Sequence, residues 1–131
     1  MMSSYVNLER WRPFFLSILR IVAALLFLET GLSKLFGFPA VGPPLATLIV
    51  LAAIIEVFGG LLLLVGLFTR LAALVMSGEM AFAYFMAHAP KSFYPEVNGG
   101  TSAILYCFVF LYFVFAGGGP WSVDRVVLKQ D

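Results

Sequence analysis

The chain has one cysteine, Cys107, and one histidine, His88, in 131 residues. An intramolecular disulfide, a C-x-x-C redox pair and a Cys/His zinc site are thereby excluded, and a bis-histidine haem would need a second chain. No intrinsic metal or cofactor is expected, and any redox role must use a small molecule or a partner. Charge is scarce too. Acidic and basic residues make up 11% of the chain, the formal net charge is +1, and Arg10 with Arg12 is the densest basic stretch. That balance argues against a nucleic-acid partner. What fills the chain instead is apolar, at 62% of residues, more than a soluble domain of this length can hide from water. The lipid bilayer is the solvent this composition calls for.

The apolar residues fall into four runs, roughly 13–36, 45–65, 70–88 and 101–116, each expected to be long enough to cross a bilayer. The first is too long for the apolar core of a secretory signal and has no small-residue cleavage pattern after it, so it reads as a membrane span. Glycines and prolines between 37 and 44 end it, Gly66 caps the second run, Thr69 is placed to cap the third, and Pro90 ends that one. The turn between the second and third runs is short enough to demand an antiparallel hairpin. The expected architecture is an all-α integral membrane protein, a four-transmembrane-helix bundle forming a single domain over 1–131.

Orientation follows from the basic residues in the flanks. Arg10, Arg12, Arg70, Arg125 and Lys129 fall on one side, Lys34 and Lys91 on the other. The richer side is cytoplasmic by the positive-inside rule, which puts both termini there. Trp11 and Trp121 then share that interface, where tryptophans concentrate.

Four ionisable residues lie inside the runs: Arg20, Glu29, Glu56 and Glu79. At a helix centre each costs on the order of 3 kcal/mol of insertion energy, so a chain that only had to span would not carry them. Counting about 1.5 Å per residue from the cytoplasmic ends, Glu56 and Glu79 sit at one level, and Arg20 lies about 9 Å up, within reach of them. Arg20, Glu56 and Glu79 are therefore the candidate catalytic cluster, expected as a buried Arg–Glu pair that leaves one carboxyl to move protons or meet a quinone oxygen. A purely structural polar clasp is the other account of the same residues.

Helical rotation separates Glu29 from that cluster. At about 100° per residue, Arg20, Phe27, Gly31 and Lys34 share a sector and Glu29 points about 180° from Arg20, which marks Glu29 as a candidate contact in a homo-oligomer. Lys34, His88 and Asn98 are candidate substrate-binding residues on the outer side. Each has a plainer account: a lysine snorkelling to the interface, a histidine at a helix C-terminus, and an asparagine capping the fourth run. Gly59 and Gly60, about one turn beyond Glu56, thin the second helix enough to admit a neighbouring helix or a flat ligand.

The ordered motifs resemble the DoxX family of small four-helix membrane proteins. They are Arg20; Gly31-Leu32-Ser33-Lys34-Leu35-Phe36-Gly37; Glu56-Val57-Phe58-Gly59-Gly60 running to Gly66 and Arg70; His88; Asn98-Gly99-Gly100; and Gly119-Pro120-Trp121-Ser122-Val123-Asp124. The resemblance covers nearly the whole chain and makes Arg20, Lys34, Glu56, Arg70, Asn98 and Asp124 the family-like polar residues, with Glu29 and Glu79 outside the pattern. It implies a small subunit or accessory factor of a quinone-linked redox complex in the bacterial inner membrane, with quinone as candidate ligand and redox subunits as partners. A small proton-coupled exporter and a non-enzymatic scaffold are the rival expectations.

Overall fold

The computed structural model describes residues 7–36 and 47–129. Helix α1 spans Arg12–Phe36, α2 Thr47–Val65 and α3 Thr69–Ala83; α3 continues through a π turn at Tyr84–His88 and a 3₁₀ turn at Ala89–Lys91. A short α4 (Pro95–Asn98), a long α5 (Thr101–Ala116) and a single turn, α6 (Val123–Val126), complete the order. Among the described residues the structure is helical, with no strand. The breaker segment 37–44 and the expected start of the second helix at Leu45 lie outside the described residues.

Ser17, Arg20, Ala24, Phe27 and Gly31 are buried at alternating spacings of three and four, which winds one stripe along the inner face of α1. Leu19, Val22, Leu25 and Leu26 cover the outer face and are exposed. The other long helices repeat the arrangement with Leu61, Leu71, Val75, Phe108 and Phe115. A protein that is apolar on its outside as well as in its core is built for lipid. Two helices, Asn7–Phe36 and Thr69–Lys91, are long and apolar enough to cross a membrane, and Ile49–Val65 and Thr101–Ala116 are apolar but shorter.

The helices pack most closely as α1 with α2, α3 with α5 and α2 with α3. Small residues permit this. A Cβ added to Gly31 would lie 2.9 Å from Glu56 Cβ, one on Gly59 would lie 2.6 Å from Met76 Sδ, and one on Gly60 would lie 3.3 Å from Leu28 Cβ. The thinned face of α2 is thus occupied by α1 at Gly60 and by α3 at Gly59. Rings close the centre: Phe27 meets Phe110 edge-on at 4.9 Å between centroids and lies 5.4 Å from Tyr106. Ser77 Oγ donates to Cys107 O at 2.8 Å and joins α3 to α5, with half-buried Cys107 as part of the packing.

The α2–α3 hairpin is capped from a distance. Gly66, at φ 76°, closes α2, with Leu67 N donating back to Leu62 O. Phe68 adopts a left-handed conformation at φ 51°, an uncommon state for a bulky residue. Its N–H donates to Asp124 Oδ1 at 2.8 Å, and Thr69 N–H to Asp124 Oδ2 at 2.9 Å. The expectation that Thr69 caps the third helix is overturned. Thr69 is already inside α3, and a carboxylate more than fifty residues downstream accepts the helix's free N–H groups at the positive end of its dipole.

Candidate functional site

The polar residues gather at three levels. Midway along α2, Lys34 Nζ donates to Glu56 Oε2 at 2.7 Å, with Glu56 fully buried and the Lys34 side chain 32% exposed. Gly31 brings α1 against Glu56, and Lys34 follows one turn later on the same face, so the Gly31-x-x-Lys34 spacing delivers the ammonium to the carboxylate. Glu79 of α3 completes the group and interacts electrostatically with both Glu56 and Lys34. Glu56 Oε1 and both carboxyl oxygens of Glu79 are out of solvent and have no hydrogen-bond donor. One ammonium therefore faces two carboxyls, and the Glu79 carboxyl lies within hydrogen-bonding reach of Glu56, so a proton held between the two can satisfy part of the pair.

Arg20 is absent from that group, which corrects the expected Arg20–Glu56 or Arg20–Glu79 pair. A Cβ on Gly66 would lie 3.0 Å from Arg20 Nη1, so the end of α2 is level with Arg20 and not with the start of α1. Ten residues separate Glu56 from Gly66, about 15 Å of rise, beyond the reach of an arginine. Depth counting failed because it assumed that all the helices end in one plane.

Arg20 instead holds the segment after α5. It is fully buried, its Nη1 donates to Gly118 O, and its Nη2 donates to Trp121 O at 2.8 Å. Ser17 Oγ donates to Gly118 O at 3.0 Å and accepts from Trp121 N at 3.1 Å. Asp124 supplies the neighbouring negative charge and is itself fixed by Phe68 and Thr69. Ser122 Oγ accepts from Arg125 N, which starts α6, and Asp124 N donates to Gly66 O at 2.9 Å. The Gly-Pro-x-Ser-x-Asp motif is thus a clasp folded back into the ends of α1, α2 and α3. Sequence reasoning did not assign Ser17 or Asp124 to it; the co-occurrence of a buried arginine and a distant glycine-rich acidic tail was the available signal.

At the opposite end, His88 Nδ1 lies 3.0 Å from Asn98 O. Asn98 is buried, with Nδ2 donating to Ser92 O at 2.9 Å and to Tyr84 Oη at 3.2 Å, while its Oδ1 accepts from Gly100 N at 2.7 Å. These contacts shape the loop between α3 and α5. Arg70 Nη1 donates to Val114 O and Phe115 O, both at 2.8 Å, at the C-terminal end of α5. Glu29 stands on the exposed face of α1, within electrostatic reach of Tyr106 on α5.

The DoxX family model matches residues 15–89, which include Arg20, Lys34, Glu56, Glu79 and His88 but not the clasp residues Gly118 to Asp124. The chain is 44% identical to an uncharacterized protein of Haemophilus influenzae, over 95% of this chain and 98% of that one. It is 29% identical to the inner membrane protein YqjF of Escherichia coli, over 86% and 92% of the two chains. An uncharacterized membrane protein of Mycobacterium tuberculosis is 26% identical over 86% of this chain and 80% of its own length. No solved structure matches.

Proposed function

The chain belongs to the DoxX family of membrane proteins, and on that premise we propose that it is a small accessory subunit of quinone-linked redox chemistry at the bacterial inner membrane. The observation that carries the reading is the Lys34–Glu56 ion pair with the buried Glu79 carboxyl beside it, inside an apolar bundle. Buried acceptors without donors are costly and call for a donor. A quinol offers two hydroxyl donors to Glu56 and Glu79, and Lys34 is the donor that a quinone oxygen needs. When a redox partner subunit takes the two electrons of such a quinol, the two protons released have the Glu56 and Glu79 carboxyls to receive them. Glu56, Glu79 and Lys34 hold the proposed site, while Arg20 acts through the fold.

Four spans with both termini in the cytoplasm complete the proposal, as one domain over 1–131. Support for the orientation comes from the basic flanks and from the row of rings at that end, where Phe14 lies 5.7 Å from Trp11 and 5.6 Å from Trp121 between centroids. Glu29, an acid on the exposed face of α1, favours a homo-oligomeric contact. On that account Glu29→Leu shifts the protein toward monomer in detergent, and Glu29→Gln, which keeps hydrogen-bonding capacity, does not.

Native mass spectrometry of the protein extracted with its lipids tests the redox reading. A co-purifying quinone or dehydrogenase subunit, with the quinone lost in Glu79→Leu, is expected. Proton-dependent substrate transport by the purified protein with no quinone bound would replace it with the exporter, for which the same carboxyls and Glu29 are the proton carriers.

A further inference from the structure

Between α1 and α5 the bundle has an open seam. The two helices meet through the Phe27, Tyr106 and Phe110 rings and are not among the closely packed pairs, which leaves an outward groove of about 270 Å³. Leu19, Val22 and Leu26 of α1 and Leu105 and Val109 of α5 form its sides, and Ala23 keeps it deep. Three hydrogen-bonding residues stand toward its outer end. Ser102 and Tyr106 line the groove. Glu29 follows Leu26 by three residues and points within about 20° of Val22 around the helix.

Level agrees with angle. Arg20 meets the residues after α5 and Phe27 meets Tyr106, so the two helices run antiparallel, and Glu29, just beyond Phe27, lies on the Ser102 side of that contact. Glu29 is within electrostatic reach of the Tyr106 phenol, yet no hydrogen bond joins them. Among the described residues the Glu29 carboxyl, Tyr106 Oη and Ser102 Oγ have no hydrogen-bond partner. Lipid tails cannot supply one. A carboxyl about 10 Å below the outer end of α1 lies in hydrocarbon, where an unmet acceptor is costly and acyl chains carry no donor. A protein surface with hydroxyl donors at the same depth meets the need, and this chain's own seam is such a surface. With an acceptor and two donors at one level of one face, the patch is self-complementary.

We propose that a second copy of the chain seats on the α1–α5 seam, parallel to the first about a two-fold axis along the membrane normal, with each Glu29 accepting from Tyr106 and Ser102 of the partner subunit. The inference rests on the reading of Glu29 as a subunit contact and adds the face, the register and the donors. No basic residue lines the groove, so the pairing sets no cations against each other, and the apolar sides interdigitate as ridges into grooves. Interhelical hydrogen bonds hold membrane helices together where apolar burial has no advantage over lipid.

The test is cross-linking of the full chain in native membranes by a short bis-maleimide, in the Cys107→Ala background. Val22→Cys should give a dimer, and Leu74→Cys, exposed on α3 away from the seam, should not. Added to Val22→Cys, Glu29→Leu should lower the dimer about tenfold, and Tyr106→Phe with Ser102→Ala should do the same, as expected for interhelical hydrogen bonds lost in duplicate across a two-fold axis. Glu29→Gln should leave the dimer in place. Val22→Trp, on an outward-facing position that leaves the core untouched, should yield monomer by native mass spectrometry, and it carries the test if the hydroxyl variant fails to fold. A dimer that Glu29→Leu dissociates but that neither Val22→Trp nor the hydroxyl variant weakens overturns the seam and leaves the contact reading standing. A monomeric parent in membranes overturns both. Equal cross-linking at Val22→Cys and Leu74→Cys, a lipid retained in the groove of a monomer, or a different membrane protein captured at Val22→Cys also overturns the proposal.

Discussion

Lys34 and Glu56 meet at 2.7 Å across the α1–α2 interface, and the contact depends on Gly31, which lets the two helices touch one turn away. Separating the partners leaves a buried carboxylate without its counter-charge. Its other polar neighbour is the Glu79 carboxyl, which brings no positive charge. Lys34→Met should therefore destabilise the protein by about 2–3 kcal/mol, somewhat less than a fully buried pair because the lysine is partly exposed. Lys34→Met/Glu56→Gln should recover part of the loss, read as unfolding free energy in detergent. Additive losses would show that the two residues do not interact.

Arg20 joins two stretches about a hundred residues apart by donating to Gly118 and Trp121 carbonyls. Arg20→Ala orphans both, at a cost of about 3 kcal/mol, since hydrogen bonds from a charged group contribute about 1.5–3 kcal/mol each. Detachment of the clasp should appear as rapid proteolysis near Val127 in the variant and slow cleavage in the parent. Glu56→Gln, at another level of the bundle, should leave that cleavage rate unchanged. If it accelerates cleavage as much as Arg20→Ala does, the two levels are one network.

Asp124 accepts from Phe68 and Thr69 at the start of α3. Asp124→Asn keeps one acceptor oxygen and should cost about 1 kcal/mol, and Asp124→Ala about 2 kcal/mol, measured by thermal unfolding. Phe68→Gly should offset part of the second loss, because glycine tolerates the left-handed backbone that the carboxylate holds in place. No difference between Asn and Ala would deny the cap.

Topology is tested by labelling introduced cysteines after Cys107→Ala. Phe93→Cys, at an exposed position in the loop between α3 and α5, should react with a membrane-impermeant reagent in intact cells, and Val127→Cys only after permeabilisation. The reverse pattern would invert the orientation.

The helical class was legible because apolar runs of this length have few other solutions, and Gly66 marked the end of α2 by a conformation that glycine adopts cheaply. The inner stripe of α1 was legible too, since periodicity alone puts Arg20, Phe27 and Gly31 on one face. Pairing was not. Helix periodicity reports angle well, but axial level depends on where each helix ends relative to its neighbours, and α1 begins well below the end of α2. That offset moved Arg20 out of reach of Glu56 and moved Lys34 into reach. Asp124 was hidden for a different reason: a cap supplied from the far end of the chain has no local pattern at Thr69.

The bond from Arg20 to Gly118 also imposes an order in time. The two residues are 98 apart, so at roughly 5–20 residues per second the guanidinium is made roughly 5–20 s before its acceptor. During that interval the first helix carries a cation at bilayer depth with no carbonyl to receive it. Until then the guanidinium must stay at an interface or find another polar partner. A chain stalled before Gly118 leaves that charge without the carbonyl that receives it.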